Sequence, residues 1–200
     1  STLSYVRFQE LVPDSPSLSV PLQQAAEAFL ALPEQEAEDR VRCRHDLPLL
    51  KALLSAPRFA SLPLTFYQDC LDPEREMQFS ALTVLLDTGE ALLVFRGTDN
   101  TLVGWKEDFN LSFLEVVPAQ SAALNYTARL AAARPGPLLL AGHSKGGNLA
   151  VFSASLSPRE LRDRIGAVYS YDSPGFTQRV LSATGYQELL PRIRSYVPQS

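Results

Sequence analysis

Gly142-His143-Ser144-Lys145-Gly146 fits the pattern G-x-S-x-G, in which a serine hydroxyl serves as a nucleophile toward a carbonyl carbon. The pattern is short, so its setting carries the weight. The apolar run Pro137-Leu138-Leu139-Leu140-Ala141 precedes it and a helical stretch over 145–156 follows. A serine on a sharp turn between a buried strand and a helix has its Oγ held clear of the backbone, and small flanking residues let the two elements approach closely. A third glycine, Gly147, follows. The helix N-terminus adds a positive dipole that favours negative charge. A plainer role for Ser144 is to cap that helix, but capping does not need the flanking glycines.

Attack on a carbonyl creates an oxyanion, and an oxyanion needs preorganised N–H donors. The backbone N–H of Lys145 is one candidate. The second is expected on the loop after an earlier strand, where Phe95-Arg96-Gly97-Thr98-Asp99 follows an apolar run. Gly97 permits close backbone approach, and Thr98 offers both an N–H and a hydroxyl. The bland reading of this segment is an ordinary strand-to-loop turn.

These segments resemble the fungal-type (class 3) lipases. Phe95-Arg96-Gly97-Thr98 with Trp105-Lys106-Glu107-Asp108-Phe109 looks like their F-R-G-T strand end and W-x-x-D segment. Gly142 to Ala150 looks like their G-H-S-x-G-G elbow, and Tyr169 to Phe176 takes the place of their next strand and turn. The Ser-Lys-Gly-Gly-Asn and Tyr-Asp-Ser-Pro-Gly-Phe variants look closer to a bacterial branch of lipase-like hydrolases. The resemblance covers about 78–197. It implies an α/β-hydrolase fold, an oxyanion hole from Thr98 and Lys145, and an ester or lipid substrate.

The triad order in such a fold is serine, acid, histidine. Asp172, at the end of the strand after the elbow, is the best carboxylate to orient a histidine; it would equally cap the Ser173-Pro174-Gly175 turn. In the resembling lipases the acid more often follows the later strand, here Tyr196-Val197-Pro198-Gln199-Ser200, which has no carboxylate. Two histidines occur, His45 and His143. His143 is expected to pack beside the oxyanion loop, and His45 to lie on the surface in a charged stretch. The base is therefore expected beyond Ser200. The Lys145 side chain does not face Ser144, because adjacent helical residues diverge, and is expected to be solvated.

The elements that must position these groups form an alternating series. Residues 78–86 and 90–97 read as a hairpin around Asp87-Thr88-Gly89-Glu90, with the second strand buried. Helix 119–133, strand 137–141, helix 145–156, strand 165–171 and strand 193–197 follow, the pattern of a parallel sheet covered by helices. Upstream, a helix is predicted over 21–32, a charged solvated stretch over 34–44, and a helix over 47–56 capped by Asp46. The sequence thus predicts one α/β domain over 1–200, with a mostly parallel sheet, helices on both faces and a helical segment at 1–60.

Composition narrows the function further. The chain is 46% hydrophobic and 20% charged with a net charge of -4, which argues against nucleic-acid binding. No basic block suggests more than peripheral membrane contact, and no apolar run is long enough for a membrane helix. Cys43 and Cys70 read as reduced thiols. Ser1 to Tyr5 is no signal peptide, so a cytoplasmic location is expected. The expected function is a serine hydrolase of carboxylic esters, either acyl lipids or small acyl esters, with no metal or organic cofactor implied. Its rivals are a non-catalytic scaffold that binds a ligand or partner, and acyl-transfer or thioesterase chemistry at the same serine.

Overall fold

The computed structural model describes residues 2–199; Ser1 and Ser200, which close the two terminal segments read above, lie outside that range. Its centre is a seven-stranded sheet whose strands follow chain order from edge to edge. These are β1 (Ser19–Pro21), β2 (Pro63–Asp72), β3 (Met77–Leu85), β4 (Ala91–Phe95), β5 (Leu138–His143), β6 (Ile165–Tyr171) and β7 (Ile193–Tyr196). Pairing is antiparallel from β1 to β4 and parallel from β4 to β7. The predicted α/β architecture is present, and its parallel half begins at β4.

The β3–β4 hairpin forms where the sequence predicts it. Gly89, at φ 95°, takes the left-handed conformation that closes the turn. Parallel strands cannot be joined by a tight turn, so helices carry the later connections. α6 (Leu102–Asn110) and α7 (Pro118–Ala133) link β4 to β5. α8 (Lys145–Leu156) and α9 (Arg159–Arg162) link β5 to β6. α10 (Gln178–Leu181) and α11 (Thr184–Leu189) lead to β7.

Successive strand side chains point to opposite faces, and β4 divides the core accordingly. Leu93 and Phe95 join Ala123, Tyr126, Leu149, Val151 and Leu189, so the crossover helices α7, α8 and α11 share one face. Val94, between them, joins Leu22, Ala26, Phe29 and Leu50 on the other face. That second face is covered by the N-terminal helices: α1 (Thr2–Tyr5), α2 (Leu22–Leu30), α3 (Glu34–Asp39), α4 (Asp46–Leu54) and α5 (Pro57–Ala60). Helices therefore cover both faces, but from different parts of the chain. Each large apolar side chain buried in this way contributes about 1.5–3 kcal/mol.

Three local readings change. Asp46 is the first residue of α4 rather than its cap, and its Oδ2 accepts the Cys43 N–H at 3.0 Å. The charged stretch from Glu34 holds a short helix with Ala37 buried. Strand β2 is absent from the sequence reading, because a bulge between Thr65 and Gln68 breaks its alternation. Phe66, in that bulge at φ 52°, stacks on Tyr126 at 4.3 Å, and the Tyr126 hydroxyl donates to Phe66 O at 2.7 Å. Cys43 and Cys70 are free and exposed. Among the described residues no helix is long and apolar enough to cross a membrane.

Candidate active site

Ser144 stands alone between β5 and α8 at φ 56°, ψ −131°. A non-glycine residue with positive φ is strained and persists only where its surroundings over-determine it. Here they do. The Ser144 N–H donates to Tyr171 O at 2.8 Å, and the Ser144 carbonyl accepts from Gly147 N–H at 2.9 Å. A Cβ on Gly142 would fall 2.1 Å from the backbone of Gly146, and one on Gly146 would fall 2.2 Å from Phe95 O. The two glycines of the motif are thus demanded by contact between strand, helix and the end of β4.

The loop after β4 lies against this turn. A Cβ on Gly97 would sit 2.6 Å from His143 O and 3.3 Å from Ser144 Cβ. Thr98 is buried, and its Oγ1 has no hydrogen-bond partner. The N–H groups of Thr98 and Lys145 also have none among the described residues. Buried polar groups are nearly always paired, so unpaired donors beside a strained serine are candidates for an acceptor. Asp99 holds the rest of the loop: its Oδ1 accepts from Thr101 N–H at 2.9 Å and Thr101 Oγ1–H at 2.6 Å, and its Oδ2 pairs with Arg7 at 3.3 Å. Arg96 is buried and bridges to Asp69 of β2 at 2.6 Å.

The Lys145 side chain is not solvated, which corrects the expectation. It is fully buried, and its Nζ donates to Gln78 O, Gln78 Oε1 and Glu107 Oε2, each at 2.8 Å. Three acceptors match the three donors of an ammonium. Burial lowers the Lys145 pKa, and the Glu107 carboxylate opposes that shift. Glu107, also fully buried, accepts Ala119 N–H at 2.8 Å and Gln78 N–H at 3.0 Å. Surface statistics for lysine gave the wrong answer because a counterion 38 residues away is invisible to local reasoning. Glu107 stood in the quoted Trp105–Phe109 segment without a role.

Asp172 sits at φ 49° just after β6, exposed, with its N–H donating to Tyr196 O at 2.7 Å. Its carboxylate makes no hydrogen bond among the described residues. His143 turns away from Ser144, as expected: its Nδ1 meets Tyr5 OH at 2.7 Å, and Arg42 donates to the same hydroxyl at 3.0 Å. Burial and the Arg42 charge lower the His143 pKa, while the nearby Asp172 charge pulls it back. His45 is exposed at the start of α4, which packs on α1, α2 and α5. The described residues thus bring Ser144, Lys145 and Thr98 together with Asp172 nearby, and supply no histidine bonded to Ser144.

Ser144 opens into a cleft of about 550 Å³ with Asp108, Leu111, Ser112, Pro174, Gly175, Phe176 and Thr177. Asn148 shapes one wall: its Nδ2 donates to Gly175 O at 2.9 Å, and its Oδ1 accepts from Gln120 of α7 at 2.8 Å. Neither Asn148 nor Gln120 was singled out from sequence as a support. The other wall ends α6, whose Trp105 and Phe109 are exposed.

Fold and junction together define an α/β protein with a serine elbow. A family model described as Mbeg1-like matches residues 53–200, and the chain belongs to that family, which is named for a lipase-like protein. The match corrects the resemblance to fungal-type class 3 lipases and their bacterial branch. F-R-G-T and G-x-S-x-G are short motifs whose glycines are dictated here by backbone contact, so they do not separate one such family from another. No curated protein matches the chain.

Proposed function

We propose that this protein is a serine hydrolase of carboxylic esters, acting on acyl lipids or small acyl esters. The observation that carries the reading is Ser144, held at positive φ on a strand-to-helix turn, facing a cleft beside the unpaired N–H groups of Lys145 and Thr98. Ser144 Oγ attacks the ester carbonyl and gives its proton to a base. The carbonyl oxygen, now negative, accepts hydrogen bonds from the Lys145 and Thr98 N–H groups, with the Thr98 hydroxyl able to add a third. The alcohol leaves with a proton, and water then releases the acid from the acylated serine. Asp172 serves to orient the base. Neither His143, bonded to Tyr5, nor His45, exposed at the start of α4, is placed for that task among the described residues.

A second reading, a non-catalytic scaffold binding a ligand or partner in the same cleft, is favoured by the lack of a histidine partner for Ser144 among the described residues. Hydrolysis of p-nitrophenyl esters of increasing acyl length separates the two. The hydrolase reading expects turnover that disappears in Ser144→Ala. Turnover absent from the folded protein, or unchanged in Ser144→Ala, overturns it.

A further inference from the structure

The Lys145 ammonium lies in a cluster that spans four elements. The lysine begins α8, Gln78 belongs to the start of β3, Glu107 to α6, and Glu107 in turn holds the first turn of α7 through Ala119 N–H. One atom joins the two sides of the candidate oxyanion hole. Gln78 Oε1 accepts from Lys145 Nζ at 2.8 Å and from the Asp99 N–H at 3.3 Å. Lys145 is the residue whose backbone N–H lines one side of the hole, and Asp99 follows Thr98, which lines the other. The chain from elbow to loop is therefore a side chain, one oxygen and a peptide N–H.

Stability alone does not account for this arrangement. Well-packed apolar residues usually hold a core as well as a buried ion pair does, or better. The Gln78 amide gives a second sign. Its oxygen faces two donors, which fixes the amide's orientation, and its Nε2 is left buried with no partner. A buried unpaired donor is a cost that packing would remove. What the cluster supplies instead is direction, because hydrogen bonds to an ammonium hold atoms at set distances and angles.

We propose that the Lys145–Gln78–Glu107 cluster is a positioning device that sets the separation of the Lys145 and Thr98 N–H donors. It rests on the serine-hydrolase reading, since the donors matter only if an oxyanion forms. These are positioning residues: none of the three side chains lines the cleft with Ser144.

The test compares the native protein with two variants. Lys145→Met with Glu107→Gln leaves no charge in the cluster, and Gln78→Met keeps the ion pair but cuts the link to Asp99. Each is measured by circular dichroism for folding, by kcat and KM on an ester, and by inhibition with a trifluoromethyl ketone, which forms a tetrahedral adduct on serine. The expected result is a fall in kcat of roughly 10²-fold in the double variant and about 10-fold in Gln78→Met, the scale of losing or misplacing an oxyanion donor. KM should stay within about twofold, as uniform binding is untouched, and ketone affinity should fall in parallel with kcat. A folded variant with native kcat and native ketone affinity overturns the proposal. If the double variant does not fold, Gln78→Met decides alone by the same criteria. A native protein that neither turns over esters nor binds the ketone sinks the hydrolase reading itself, and this inference with it.

Discussion

Two strand-to-helix junctions meet at the carboxyl edge of the sheet, and they are held by different means. The junction after β5 takes one residue, Ser144, and is fixed by backbone contact: Gly142, Gly146 and Phe95 O leave no room for a Cβ. The junction after β4 runs from Arg96 to Thr101 and is fixed by polar side chains, with Arg96 on Asp69, Asp99 on Thr101 and Arg7, and Gln78 Oε1 on the Asp99 N–H. A steric junction tolerates almost no change of size. Apart from Gly97, where a Cβ would meet His143 O at 2.6 Å, the polar junction tolerates size but not the loss of a partner. Ser144, the proposed nucleophile, stands on the first and one of the two candidate donors on the second, so one site combines both kinds of rigidity.

The largest effect should come from the steric side. Gly146→Val and Gly142→Ala place carbon about 2 Å from backbone atoms, where nothing can rotate away. Each should destabilise the protein by more than about 4 kcal/mol or prevent folding, as read by urea unfolding. A folded Gly142→Ala near native stability would break the contrast. On the polar side, Asp99→Ala should cost about 1–3 kcal/mol, from the lost Thr101 bonds and the lost Arg7 contact. It should leave a folded protein whose ester turnover falls more steeply than its stability. Thr98→Val removes a hydroxyl that has no partner in the free protein, so its stability change should stay below about 1 kcal/mol. Turnover should nevertheless drop by up to roughly 10²-fold if that hydroxyl bonds the oxyanion.

The smallest effect concerns His143, beside the elbow. Its pKa is lowered below the usual 6.5 by burial and the Arg42 charge. Between the folded value and 6.5 the unfolded chain binds more protons than the folded one. Stability should therefore fall as pH drops through that window and level off below it. His143→Gln should flatten this part of the stability-versus-pH curve, measured by urea unfolding at successive pH values. An unchanged curve in the variant would remove His143 as its source.

The parallel half of the sheet was legible because helices and apolar strands there alternate strongly. α8 begins and ends at the predicted residues, and β6 matches its predicted span. The elbow was legible for the same reason that it is rigid, since backbone crowding writes itself into sequence as glycine. β2 was hidden by its bulge, which shifts the side-chain phase between Thr65 and Gln68. α6 was hidden because Leu102, Trp105 and Phe109 face outward while Glu107 faces in, the reverse of an amphipathic surface helix. Lys145 was misread for a related reason. Its environment is set by Gln78 and Glu107, both distant in sequence, and type-based expectation places lysine in water.

The most direct measurement is the reaction of the protein with a fluorophosphonate probe, followed by mass spectrometry of its peptides beside a Ser144→Ala control. A serine hydrolase acting through Ser144 gives a single adduct on the peptide that carries Ser144, absent from the control. A folded protein that takes up no probe, or one labelled elsewhere and equally in Ser144→Ala, would contradict that role for Ser144.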